Sequence, residues 1–214
     1  MHTPKGLGGS YCLHSNSEKR TTMSFTAWGD ESVRITAEEP MYLTGACILD
    51  DDALSAIEAI EKLAPKGAKK THWRDMGVRA QKKALSIISQ MAHTTCIVVA
   101  APIKPGNQER ARRKCLEKLI LRLEALSVET LVLESRDSFL DKKDIDFLLY
   151  LRRCGLATKI DVQHRKGSDE PYLCIPDQLL GAYGELVVAK DSQPAWLKEW
   201  DAIKGSIETI PIAL

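Results

Sequence analysis

A mixed α/β fold is the expectation for this chain, and three observations predict it. From about residue 23 onward, apolar runs of strand length alternate with segments of helical periodicity. The first two runs, "MSFTAW" and "MYLTGACIL", are joined closely enough for an antiparallel, hairpin-like pair. The later runs "TTCIVVAAPI", "VETLVLES" and "TKIDVQH" are separated by helical segments, as β-α-β crossovers require. The predicted class is α/β, a mixed sheet with antiparallel opening strands flanked by helices.

Each element has its own justification. In "DDALSAIEAIEKLA", Asp51 or Asp52 is a plausible N-cap, and Leu54, Ile57 and Ile60 share a face. "PKGAKKTHWRDM" is a polar connection with room for a brief strand at His72 and Trp73. "VRAQKKALSIISQMA" places Ala84, Leu85, Ile88 and Met91 at helical spacing, and "TTCIVVAAPI" is apolar enough for a strand covered on both faces. "NQERARRKCLEKLILRLEAL" is amphipathic, with Leu116, Leu119, Ile120, Leu123 and Leu126 on the buried side. "VETLVLES" is a strand that closes at Glu134. "DKKDIDFLLYLRRCG" follows as a helix with Ile145, Leu148 and Leu149 inward and Gly155 as its stop. "YLCIPDQLLGAYGELVVAK" reads as a short strand and then a helix from Pro176, a residue suited to a first helical position. Trp196 and Trp200, also at helical spacing, mark a C-terminal helical tail that packs back on the body.

Residues 1–22, rich in Gly, Ser, Lys and His without periodicity, read as a disordered leader; residues 23–214 form one domain. The net charge of +1 gives no global reason for a polyanion partner, so nucleic acid would have to be held by a local patch. Six cysteines lie scattered without a C-x-x-C pair, mostly in apolar runs, and read as small core residues of a reducing compartment. With no apolar run of membrane-spanning length, no membrane is expected and the cytoplasm is the expected location. The chain has no G-x-S-x-G elbow and no glycine-rich loop between a strand and a helix, which argues against nucleophile-elbow hydrolases and nucleotide folds.

Three acids occupy one kind of place, the end of an element. Asp30 follows the first strand, Glu134 closes "TLVLE", and Asp177 opens the late helix. If the first and fourth strands are neighbours, Asp30 and Glu134 leave the same end of the sheet, and a docked helix delivers Asp177. Converging carboxylates repel one another unless cations bind them, and an all-oxygen set favours Mg²⁺ or Mn²⁺. Such ions activate water and stabilise the leaving oxygen of a phosphodiester. Each acid also has an ordinary reading: a turn at Asp30 and Glu31, an ion pair at Glu134, a helix-dipole contact at Asp177.

Around this set stand auxiliary candidates. Glu31 and Asp137 are possible further ligands, Arg136 suits a phosphate or an ion pair with Glu134, and Asp141 suits the N-cap of its helix. "KKTHWRDM" offers Lys70, His72, Trp73 and Arg74; His72 suits a proton shuttle or a structural role, and Trp73 suits base stacking or packing at the edge of the core. Between Lys104 and Arg122, seven basic residues stand against two acidic ones. Arg110, Arg112, Arg113 and Lys114 there form either a nucleic-acid-binding face or a solvated helix face.

The order of four pieces, "GDES", "THWRDM", "LVLESRDSFLDKKDID" and "CIPDQLLGAY", resembles the bacterial domain-of-unknown-function 3800 family, placed among ribonuclease H-like folds. The likeness runs from about Met23 to Ala189. It implies a ribonuclease H-like mixed sheet, a metal-dependent nuclease, and Asp30, Glu134 and Asp177 as the catalytic, metal-holding set. The chain departs from the pattern of that superfold in two ways: no acid stands out on the first long helix, and two helices precede "TTCIVVAAPI" where a minimal opening has three strands. The rival expectation is a non-catalytic nucleic-acid- or protein-binding module on the same fold. Two-carboxylate sugar chemistry is a third, disfavoured by the low aromatic content of 6%.

Overall fold

The computed structural model describes residues 25–35, 38–50, 52–68, 70–104, 106–189 and 192–214. The expected leader, Cys12 and the candidate cap Asp51 lie outside the described residues. The strand β1 (Phe25–Arg34) pairs antiparallel with β2 (Met41–Leu49), as the short connection predicts. Helices α1 (Ala53–Glu61) and α2 (Val78–Ile88) follow, with a 3-10 turn at Trp73–Asp75 in place of the expected strand. β3 (His93–Ala100) returns antiparallel to β2. α3 (Gln108–Ala125) then crosses to β4 (Val128–Glu134), which lies parallel to β1, and α4 (Ser138–Arg153) leads to β5 (Asp161–Arg165), parallel to β4.

The chain ends with α5 (Cys174–Ala189), α6 (Leu197–Ile203) and β6 (Ile207–Ile212). The six-stranded mixed sheet has the order β5-β4-β1-β2-β3-β6. β6 corrects the expectation of a purely helical tail: its alternating "IETIPI" pairs parallel to β3 and makes β3 an inner strand. Pro211 is tolerated there because β6 is an edge strand with one unpaired side.

Helices cover both faces, and the strand pleat decides which side chains meet which helix. Ala27, Ala46, Val98, Leu131 and Leu133 pack with Cys115, Leu119 and Leu123 of α3 and Leu148 and Leu151 of α4. On the other face Cys47, Ile57, Leu85, Trp73 and Leu179 join Trp196 and Trp200. Covered on both sides, β2 is buried continuously from Met41 to Cys47. On α3, Leu116, Leu119, Ile120 and Leu123 are all buried, each contributing about 1.5–3 kcal/mol by leaving water.

Two inward expectations fail for one geometric reason. Leu54 and Leu149 are exposed because the buried stripes run through Ala53, Ile57 and Ile60 and through Asp144, Leu148 and Leu151. One residue further along a helix turns a side chain about 100° away from such a stripe. Gly155 stops α4 as predicted, taking a left-handed φ of 70° that side chains disfavour. "YLCI" is not a strand: Pro171–Leu173 is a 3-10 turn that runs into α5 at Cys174. Pro176 therefore sits inside the first helical turn, where its missing N–H has no intrahelical partner to lose. No helix among the described residues is long and apolar enough to cross a membrane.

Candidate functional site

Asp30 does not follow the first strand but lies inside β1, which pairs with β2 as far as Arg34, and the pleat separates the neighbouring acids of "GDES". Ala27, Gly29 and Glu31 point towards α3 and α4, while Trp28 and Asp30 point towards α5. Asp30 stands opposite Gly45 of β2, and Gly29 pairs with Leu133 of β4, so the next residue, Glu134, comes level with Asp30. Gly45 leaves room under α5, since a Cβ there would come within 3.1 Å of Leu180. The third acid arrives with α5, whose approach is pinned by Tyr172 stacked on Trp28 at 4.6 Å. Asp177 lies in its first turn. Asp30, Glu134 and Asp177, from three separate elements, line one open cleft of about 220 Å³ together with Arg34, His72, Trp73 and Arg74.

The segment from Lys70 to Trp73 is strapped across this cleft. Asp177 accepts the Trp73 backbone N–H at 2.8 Å and meets His72 Nδ1 at 3.1 Å, while Gln178 Nε2 donates to the Thr71 carbonyl at 3.3 Å. The Trp73 ring lies against Gly181, where any Cβ would collide with it. Lys70 Nζ reaches Glu134 Oε2 at 2.5 Å. Arg34 donates through Nη2 to the Gly181 carbonyl at 3.1 Å, and its Nε is buried without a partner among the described residues.

Asp30 is the uncompensated member of the set. It accepts the Glu31 backbone N–H at 2.8 Å and has no ion-pair partner among the described residues. Burial first, then the charges of Asp177 and Glu134, hold its carboxyl well above the usual 3.8, and Lys70 and His72 offset this only in part. His72 is raised from 6.5, chiefly by its hydrogen bond to Asp177.

The auxiliary expectations are largely corrected. Glu31 belongs to the opposite face, where it pairs with Arg112 and accepts from the Tyr42 hydroxyl. Arg112 is buried, with Nη2 on Asp144 at 2.5 Å, and so leaves the proposed binding face: a guanidinium out of water needs both carboxylates. Arg136 donates to Glu109 at 3.0 Å and approaches Asp144 and Glu31 rather than Glu134. Asp137, not Asp141, caps α4, accepting from the N–H groups of Phe139 and Leu140, which leaves no role for it in the cleft. Arg110, Arg113 and Lys114 are exposed on α3; Arg113 lies over the Phe147 ring and Lys114 pairs with Glu117. The thiols of Cys47, Cys96, Cys115 and Cys174 are pushed up to about 12 by burial, which suits inert core residues.

Lys70, which pairs with Glu134, is the residue beside the site whose place sequence reasoning leaves unassigned. "KKTHWRDM" displays the lysine, but its partner lies 64 residues away and no local pattern joins them. Among the described residues, no group of three or more His, Cys, Asp or Glu side chains could hold a metal ion as placed. Lys70 on Glu134 and the straps on Asp177 keep those carboxylates engaged elsewhere. By chemistry alone the donor set suits a hard cation, being three carboxylates of which Asp30 has no ion-pair partner among the described residues. No family model matches this sequence, and no curated protein matches it either.

Proposed function

We propose that this chain is a Mg²⁺- or Mn²⁺-dependent phosphodiesterase, a nuclease on a ribonuclease H-like sheet of the domain-of-unknown-function 3800 type. The observation that carries the reading is the meeting of Asp30, Glu134 and Asp177 in one cleft, from β1, β4 and the first turn of α5. The strand order supports the fold reading: three antiparallel opening strands, then β4 and β5 in parallel beside β1. On this view α1 and α2 are an insertion between the second and third strands.

Asp30, Glu134 and Asp177 would hold the cation, which would supply Lewis acidity towards the attacking water and the phosphate. Arg34, fixed by Gly181, sits where its guanidinium can anchor a neighbouring phosphate. His72, held through Nδ1 by Asp177, keeps Nε2 for a proton passing to or from the leaving oxygen. The surface left on α3 by the burial of Arg112 is a poorer basis for a purely binding function than the full basic run suggests.

The test is cleavage of labelled single- and double-stranded DNA and RNA. Wild type with Mn²⁺ cleaves at least one substrate, EDTA abolishes the activity, and Asp30→Asn abolishes it while the circular dichroism spectrum stays native. Equal activity in all three samples, or cleavage in none, overturns the proposal.

A further inference from the structure

Among the described residues, Arg34, Arg112 and Arg136 each have a buried Nε without a hydrogen-bond partner. Arg112 and Arg136 face carboxylates, Glu31 and Asp144 for the first, Glu109 and Asp144 for the second. Arg34 faces none among the described residues. Its Nη2 donates to the Gly181 carbonyl, and Nη1 has no hydrogen-bond partner among the described residues. A guanidinium drawn out of water without a counter-ion is costly, so an anion brought to it is held strongly. The place is built by glycine: a Cβ on Gly184 would come within 2.5 Å of Arg34 Nε.

Arg34 also stands between two concavities. It lines the acidic cleft on one side and a second cavity, of about 450 Å³, on the other. Val78, Val188, Pro194 and Trp196 make that cavity largely apolar, and Arg34 and Glu185 are the charged residues of its described lining. Gln81, only 6% exposed, gives its Nε2 to the Trp73 carbonyl and keeps Oε1 as an acceptor at the wall. Asp177, Gly181, Gly184 and Val188 follow one stripe of α5. The cavity therefore begins about 10 Å along the helix from Asp177, a distance on the order of one nucleotide. We infer that this cavity receives the base of a nucleotide whose phosphate is held by Arg34. The inference rests on the phosphodiesterase reading above, which brings a phosphate to the cleft that shares Arg34, and it adds where the neighbouring nucleoside goes. The apolar walls take the base out of water, Gln81 accepts from an N–H on its edge, and Arg34 supplies the counter-ion.

Calorimetric titration of nucleoside monophosphates, and separately of inorganic phosphate, into the full chain in EDTA tests this without any cleavage. At least one nucleoside monophosphate binds, and inorganic phosphate binds about tenfold or more weakly because it leaves the apolar walls empty. Arg34→Gln, which removes the counter-ion, and Val188→Trp, which fills the cavity from a position 43% exposed, each weaken nucleotide binding by about tenfold or more. No nucleotide binding, phosphate binding as tight as nucleotide, or an affinity unchanged in Val188→Trp overturns the inference. If Arg34→Gln fails to fold, Val188→Trp decides. Nucleotide binding without cleavage in Mn²⁺ supports the cavity and overturns the phosphodiesterase reading; cleavage without nucleotide binding overturns the cavity alone.

Discussion

Asp30 is a carboxylate held where charge is disfavoured, and that has a measurable consequence. Its folded pKa lies well above the usual 3.8, so its contribution to stability is full below the unfolded value and is lost as pH rises through the folded one. At neutral pH and without divalent metal, Asp30→Asn therefore raises the melting temperature, by about 2–4 °C for each kcal/mol released in a chain of this length. Differential scanning fluorimetry reads this directly, and Mn²⁺ raises the melting point of wild type but not of the variant. A variant that melts below wild type in EDTA contradicts the assignment of Asp30 as uncompensated. On the other face, Arg112→Ala strands Glu31 and Asp144 and costs about 3–5 kcal/mol in urea unfolding, whereas Arg110→Ala on the exposed side stays within about 0.5 kcal/mol.

At the scale of elements, Glu124 near the end of α3 ties that helix to the connection before β5. It accepts the backbone N–H groups of Thr158, Lys159 and Ile160 at 2.7, 2.6 and 2.9 Å. Burial opposes its ionisation, but the three donors outweigh it and hold the carboxyl below the usual 4.5. A depressed carboxyl stabilises above its unfolded pKa and loses that contribution as pH falls through the folded one. Glu124→Gln accordingly loses about 1–2 kcal/mol at neutral pH, and its difference from wild type shrinks in acid below 4.5, measured by unfolding across pH. The helix α3 itself was legible because its leucine stripe is local. The strap from Lys70 to Trp73 was not, since its conformation is fixed by Asp177, 105 residues beyond His72.

The whole molecule shows the same division. Alternating β and α signals define the class and the antiparallel start, and the three acids could be picked out one by one, although only Glu134 and Asp177 stand at element ends and Asp30 lies inside β1. Their meeting in one cleft depends on β4 lying beside β1 and on α5 crossing that pair, which no single stretch of sequence encodes. Nor does "IETIPI" announce that it completes the sheet; its pairing with β3 is a long-range event. The two tryptophans of the C-terminal region were readable by spacing, and they anchor it. Trp196 is 2% exposed and meets Trp73 edge-on at 5.3 Å, so the tail buttresses the segment that carries Lys70 and His72. Trp196→Ala costs about 3–5 kcal/mol of stability in chemical unfolding, the usual loss for a buried tryptophan.

The most direct measurement is a crystal of the full chain soaked in Mn²⁺ and recorded near the manganese absorption edge. The account predicts an anomalous peak in the cleft bounded by Asp30, Glu134 and Asp177, with Lys70 Nζ on its flank. An empty cleft at saturating Mn²⁺, or a peak on other residues with these three acids unliganded, contradicts it.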